Sequence, residues 1–173
     1  KEETKMEVKI REATEADAGA IREIMQDAFH KYENDLGMKG HVQALSETED
    51  DIQRDIRHKT VLIGLVDGVP VGSVRVEMLG SIAYLSRFGV CSAITKSGIG
   101  GMLIDRVEIL CREQSIRAIA LHTSSRMFGL IRFYYGHGYF IYSTESSRGY
   151  IRALLVHELE MPGQYDLEPV MAR

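Results

Sequence analysis

The sequence is poor in cysteine, in basic charge and in long apolar runs, and each shortage excludes something. Two cysteines, Cys91 and Cys111, make neither a disulfide framework nor a zinc-site spacing. Cys111 falls in a helical pattern and reads as a small buried hydrophobe, and such usage fits a reducing cytoplasm. The 21 Lys and Arg are outnumbered by 25 Asp and Glu, for a net charge of -4, so no basic face is implied and bulk nucleic-acid binding is disfavoured. No apolar run approaches the roughly 18 residues of a membrane span, and no N-terminal stretch resembles a secretory signal. The six His show no metal-ligand spacing, so no metal is expected.

What is present is ordinary for a globular domain. Hydrophobic residues make up 45% of the 173 and charged residues 27%. One domain is expected over 6–160, with 1–5 set aside as a tag remnant or disordered end and 161–173 as a tail without a strong pattern. No repeat or linker divides the chain.

Val8 to Arg11 reads as a strand leading to Thr14, which with Asp17 resembles a capping box. Ile21, Ile24, Met25, Ala28, Phe29 and Tyr32 follow at helical spacing, predicting an amphipathic helix to about Tyr32. Glu33 to Leu45 has no period and reads as a loop. Ser46 with Glu49 offers a second capping box for a charged helix to about Lys59. Val61–Val66 and Val71–Met78 read as strands around Asp67-Gly68, with a connection through Pro70 longer than the tightest hairpin. Ile82–Val90 is a third strand, where Gly89 hints at a bulge or a close backbone approach. Ile99, Met102, Leu103, Val107 and Leu110 form the predicted buried stripe of the next helix. A strand over Arg117–His122, a short helix around Met127–Tyr134, a left-handed cap at Gly138, and paired strands over Tyr139–Ser143 and Tyr150–Glu160 complete the pattern. The order implies an α/β (α+β) fold, a mixed sheet with helices on its faces.

The most pointed local feature is TKSGIGGML, Thr95 to Leu103, with three glycines in four residues at the mouth of a helix. Glycine inside a helix costs about 1 kcal/mol relative to Ala. Its use here suggests that an anion must approach bare backbone, because first-turn N–H groups are unpaired and sit at the positive end of the helix dipole. Lys96 could add a cation. The P-loop pattern fails for want of Gly-Lys-Ser/Thr, and the dinucleotide pattern fails at Leu103 and at Arg117 to His122.

A third pattern fits. The run AYLSRFGVCSAITKSGIGGMLID resembles the acetyl-CoA-binding motif of the GNAT superfamily of N-acetyltransferases, with the step from Val90 to Gly98 followed by Gly98-Ile99-Gly100. FYYGHGYF is similar to a second family segment, with Tyr134, Gly138 and Tyr139 in its places. The resemblance covers nearly the whole chain. It implies a mostly antiparallel sheet of about seven strands with helices on both faces, acetyl-CoA as co-substrate, and transfer of acetyl to a primary amine of a small molecule or protein. It further implies cytoplasmic action as a monomer or homodimer, without membrane or nucleic-acid partners. Phe88, Gly89, Val90, Thr95, Lys96, Ser97, Gly98, Ile99, Gly100 and Gly101 would take the cofactor. Tyr134 would be the general acid. Thr95, Ser92, Lys96 and Met127 depart from the family pattern.

The base is less legible. Tyr84 stands where many members carry Glu; Glu77 on the neighbouring strand could act directly or through water, although a strand Glu is more often a solvated surface residue. His122 and His157 read as hydrogen-bonded core residues. Tyr32, Tyr84 and Thr123 are the candidate acceptor-site residues, beside a mixed-charge stretch with Glu33, Asp35, Lys39 and His41 that selects no substrate. Two other readings stand beside acetyl transfer: a regulatory domain that binds acyl-CoA without turnover, and a phosphate- or nucleotide-binding module of another fold.

Overall fold

The computed structural model describes residues 4–94, 97–160 and 163–173. Strand β1 (Val8–Glu12) leads through a short turn into α1 (Ala18–Leu36) and α2 (Glu49–His58). Then come β2 (Thr60–Val66), β3 (Val69–Leu79) and β4 (Ile82–Val90), α3 (Ile99–Glu113), β5 (Ala118–Ser124), α4 (Phe128–Gly136), β6 (Phe140–Glu145), β7 (Arg152–Glu158) and a short α5 (Glu168–Met171). The seven strands form one sheet in the order β1-β2-β3-β4-β5-β7-β6. Only β4 and β5 pair in parallel; the other neighbours are antiparallel. The expected fold class is observed.

Strand alternation sorts the core into two layers, because successive side chains point to opposite faces. Val61 and Ile63 turn toward α1 and α2, where they bury Ile21, Ile24, Met25 and Ile52. Leu62, Val74 and Val76 turn the other way, onto Leu103, Ile104 and Val107 of α3 and Tyr134 of α4. The stripe of α3 departs from expectation in that Met102 is 43% exposed and Ile104 is buried, while Cys111 is buried as expected. The apolar arc is set by Ile99, Leu103, Val107 and Cys111, and Met102 lies outside it.

The tail is more ordered than its composition predicts. Leu167 and Val170 of the α5 region bury against Ile82, Ala118, Ala120 and Val156, which carries Ala172 and Arg173 back to the middle of the sheet.

Three local expectations are corrected. Helix α1 runs four residues past Tyr32 and ends where Gly37 takes a left-handed φ of 73°; its last turn is polar, so hydrophobic period could not reveal it. The second capping box is Thr48 with Asp51, and the Asp51 N–H donates to Thr48 Oγ1 at 3.2 Å. The β2–β3 connection is the tight two-residue kind, since Asp67 and Gly68 both have positive φ and Val66 faces Val69. The register shift leaves Val71 of β3 without a partner, between Gly72 opposite Gly64 and Pro70 opposite Leu65. A bulge thus absorbs the proline that made the loop look longer.

Gly89 lies where α1 crosses β4. A Cβ built there would stand 2.9 Å from Ala28 Cβ and 3.1 Å from Met25 Cε. Gly89→Ala should therefore lower stability by about 1–3 kcal/mol, the usual cost of overpacking. Urea unfolding checks this; an unchanged midpoint would show that α1 can retreat freely.

Candidate active site

Strands β4 and β5 run together for three pairs only, Ile82 with Ala118, Ala83 with Ile119 and Tyr84 with Ala120. Beyond Tyr84 they part, although β4 continues to Val90 and β5 to Ser124. The stretch Leu85–Val90 is thus paired with β3 on one side and leaves the β5 side open. A bulge deepens the opening. Ser73 faces Gly89 but Arg75 faces Ser86, so Arg87 and Phe88 together oppose Val74. Arg87 takes a left-handed φ of 51°. Glu47 secures this conformation: Oε1 accepts from Arg87 Nε at 2.5 Å and Oε2 from Arg75 Nη1 at 2.5 Å. Arg75 is 1% exposed and also donates to Asp55 at 2.8 Å.

A cavity of about 440 Å³ fills the mouth of the opening. Five residues singled out from the sequence meet in its wall: Tyr32, Tyr84, Phe88, Thr123 and Tyr134. Tyr32, on α1, accepts a hydrogen bond from the Ser124 N–H at 2.9 Å and lies 3.4 Å from Thr123 Oγ1. The helix is thereby tied to the free end of β5. Phe88 stacks on Phe133 with ring centres 5.6 Å apart, and Tyr134 meets both rings edge-on. Tyr134 is 4% exposed, and burial raises its phenol well above the ordinary value, so it keeps its proton at neutral pH. Tyr135, the next residue, is half exposed and accepts from the Ile141 N–H at 3.1 Å.

The cavity also holds His122, which the sequence reads as a core residue, and a set of cations that the sequence does not bring together. His122 Nδ1 lies 2.7 Å from the Tyr84 hydroxyl. Burial, with the nearby Arg152 guanidinium second, lowers the His122 imidazole to about 4; it is neutral at pH 7. Burial likewise raises Tyr84, against the pull of Arg152, Arg173, Arg148 and Arg87. These four arginines and Lys59 all line the cavity. They come from the β4 bulge, the β6–β7 connection, the start of β7, the end of α2 and the tail. No local motif links them, so spacing could not bring them together.

Glu77 is not in the cavity wall. It sits opposite Tyr84 in the β3–β4 register, and Arg173 donates to its carboxylate at 2.7 Å, with Lys59 Nζ 3.9 Å away. Nor is His157, which lies 2.9 Å from Glu108 through Nε2, a part of it.

The glycine turn occupies the end of the opening, where α3 begins beside Val90. Thr95 and Lys96 lie outside the described residues. Gly98 caps the helix at φ 83°, and the first main-chain bond is from the Met102 N–H to the Gly98 oxygen. The N–H groups of Gly100 and Gly101 precede that bond, and the Ile99 N–H has Ser97 Oγ at 3.4 Å. Gly100 also serves packing, since a Cβ there would stand 3.2 Å from Phe88 Cζ. A Cβ at Gly101 would stand 3.3 Å from Cε1 of His137, the residue that follows α4.

The Acetyltransferase (GNAT) family model matches residues 20–139, which take in α1 through the end of α4. The chain belongs to the GNAT acetyltransferase family. A Bacillus subtilis (strain 168) protein with a provisional acetyltransferase name is 31% identical over 80 residues, 46% of this chain and 52% of its own length. The chain thus spans about half of that relative. The fold is similar to the PaiA N-acetyltransferase of Thermoplasma acidophilum in complex with coenzyme A, with TM-score 0.76, 15% identity, and coverage of 88% of this chain and 99% of that one. It is also similar to the yncA protein of Salmonella typhimurium with acetyl-CoA, with TM-score 0.73, 18% identity, and coverage of 92% and 98%. This GNAT chain has no group of three or more His, Cys, Asp or Glu placed for a metal ion among the described residues. No described helix is long and apolar enough to cross a membrane.

The depressed His122 sets a pH dependence. Its folded value of about 4 lies below the ordinary 6.5, so on acidification the unfolded chain takes up the proton first. Its contribution to stability is complete at pH 7 and is lost as pH falls from about 6.5 to about 4. In urea unfolding at pH 7 and pH 4.5, His122→Gln should lose less stability between the two conditions than wild type. Equal losses would place the imidazole in a water-like environment.

Proposed function

We propose that this protein transfers an acetyl group from acetyl-CoA to a primary amine by direct attack. One observation carries the reading. The unpaired side of β4 from Leu85 to Val90 opens onto a cavity at one end, and a glycine-rich helix start stands at the other. Backbone donors and acceptors left open inside a sheet are a place for an extended, amide-bearing ligand to add as a strand. The start of α3 suits a pyrophosphate, because its free N–H groups and the helix dipole favour negative charge. Ser97, Gly98, Ile99, Gly100 and Gly101, with Thr95 and Lys96 before them, would hold the phosphates. Phe88, Gly89 and Val90 would pair with the arm. Two proteins of similar fold were solved with coenzyme A and acetyl-CoA.

Acetyl-CoA supplies a thioester carbonyl for the amine to attack, with a thiol as the other product. The protein's own part is positioning, proton handling and donation to the carbonyl oxygen. Positioning alone can contribute several kcal/mol. Main-chain N–H groups at the Arg87–Phe88 bulge, where two residues oppose one, would supply the donors. Tyr134, protonated and buried against Phe88, gives a proton to the departing sulfur. The amine's proton leaves toward the Tyr84–His122 pair, the titratable pair in the cavity wall. Glu77, one strand over and paired with Arg173, ranks behind it as a base acting through water.

Two variants test this. Tyr134→Phe keeps the ring and its packing but removes the proton. It should lower kcat by about 10²- to 10⁴-fold, with acetyl-CoA binding nearly constant, while Tyr135→Phe changes little. Full turnover in Tyr134→Phe, measured by thiol release on an amine the wild type uses, would remove Tyr134 from the proton path. Ser97→Asp puts an acid beside the Ile99 N–H at the start of α3, where the dipole tolerates it, yet where it repels a phosphate. Acetyl-CoA affinity by calorimetry should fall about tenfold, or ~1.4 kcal/mol. Unaltered affinity would move the phosphate site elsewhere.

A further inference from the structure

The cations of the cavity are unequally matched. Arg87 has Glu47, Lys59 has Asp55 at 3.4 Å, and Arg173 has Glu77. Arg152, 8% exposed, is held by Glu145 through Nε, which leaves its other nitrogens directed elsewhere. Arg148, in the β6–β7 connection, has no Asp or Glu partner among the described residues. Its Nη2 donates to the Arg173 backbone oxygen, and Arg152 Nη1 reaches the same oxygen at 3.4 Å. Two guanidinium groups from separate positions thus converge on one oxygen in the cavity wall. Around them stand Tyr84, His122 and Tyr150, three groups whose titration Arg148 and Arg152 both influence.

A guanidinium offers a planar fork of donors that matches carboxylate and phosphate oxygens, and such charge-assisted bonds are stronger than neutral ones. One main-chain oxygen engages a single donor from each fork and leaves other donors of both open. We propose that the acceptor is a primary amine that also carries an anionic oxygen group, a carboxylate or a phosphate, and that Arg148 and Arg152 hold that group in place of the Arg173 oxygen. The inference rests on acetyl transfer as the reaction and adds the class of acceptor. It fits the cavity's layout. The arginine pair and Tyr134 belong to one space of about 440 Å³. An amine held there by its anion lies in the same space as Tyr134, and the acceptor is a small molecule or a chain end. Bound anion also offsets the Arg152 charge that helps depress His122, so that the imidazole becomes a better proton acceptor when the acceptor is seated.

Two matched pairs of probes test this on the intact protein: β-alanine against β-alaninamide, and O-phosphoethanolamine against ethanolamine. Thiol release gives kcat/KM for each, in wild type and in Arg148→Gln. Wild type should prefer the anionic member of at least one pair by tenfold or more, and the pair concerned tells carboxylate from phosphate. Arg148→Gln should cut that preference at least tenfold through the KM of the acceptor, with acetyl-CoA affinity retained. Equal use of charged and neutral probes, or a preference that survives Arg148→Gln, overturns the proposal. Should no probe be acetylated, calorimetric binding of the two anionic probes decides the anion site separately from the reaction. Binding that Arg148→Gln weakens at least tenfold supports the site while acetyl transfer to such amines falls, and binding indifferent to Arg148→Gln, or none, overturns the site.

Discussion

The divergence of β4 and β5 after Tyr84 and Ala120 is the constraint on which the rest of the molecule depends. Parallel strands in a sheet interior ordinarily keep pairing, because every unpaired N–H and C=O there costs free energy. Here the two strands are held apart from both faces. On one, α1 lies against β4 at Gly89 and is tied to the end of β5 by the Tyr32 hydroxyl. On the other, the rings of Phe88, Phe133 and Tyr134 fill the space under α3 and α4. Closing the gap would require expelling an aromatic cluster and lifting a helix.

The bulge that starts the gap depends on a charge placed far away in sequence. Arg87 in a left-handed conformation is unfavourable for a residue with a Cβ. Glu47 compensates by bonding it and the buried Arg75 together. A buried ion pair of this kind adds little net stability; its value is that it admits one geometry. The carboxylate also arrives on the segment between α1 and α2, so the wall of the cavity and the shape of the strand are set by the same contact. That segment reads as a featureless loop, and residues 43–46 prove to be a helical turn bonded to α1 through Gln26.

Most of the fold was legible because its cues are local. Strand alternation, the stripe of α1, the Asp67-Gly68 turn and the glycine start of α3 each rest on neighbouring residues, and all appear in the structure within a few positions. The site was legible to the extent that it too is local: Phe88 on its strand and Tyr134 on its helix come from contiguous motifs, and both line the cavity. The cationic wall was not. Arg148, Arg152 and Arg173 meet only because β6 and β7 form a hairpin and because Leu167 and Val170 draw the tail onto the sheet. His122 was read as a core residue, which half describes it: it is largely buried, but its partner is the Tyr84 hydroxyl in a cavity.

The residue at position 84 connects the proton chemistry with the electrostatics of the wall. A carboxylate there would stand among the four guanidinium groups that now act on Tyr84. Burial would raise it and the four guanidinium groups would lower it, and once ionised its charge would cancel part of theirs. The Tyr84 phenol, raised by burial, is neutral at pH 7 and subtracts nothing. It can hydrogen-bond to His122 while leaving Arg148 and Arg152 their full charge. Tyrosine at this position therefore leaves the charge of the wall unreduced and sets a neutral hydroxyl beside the imidazole, as the proposed recognition of an anion requires.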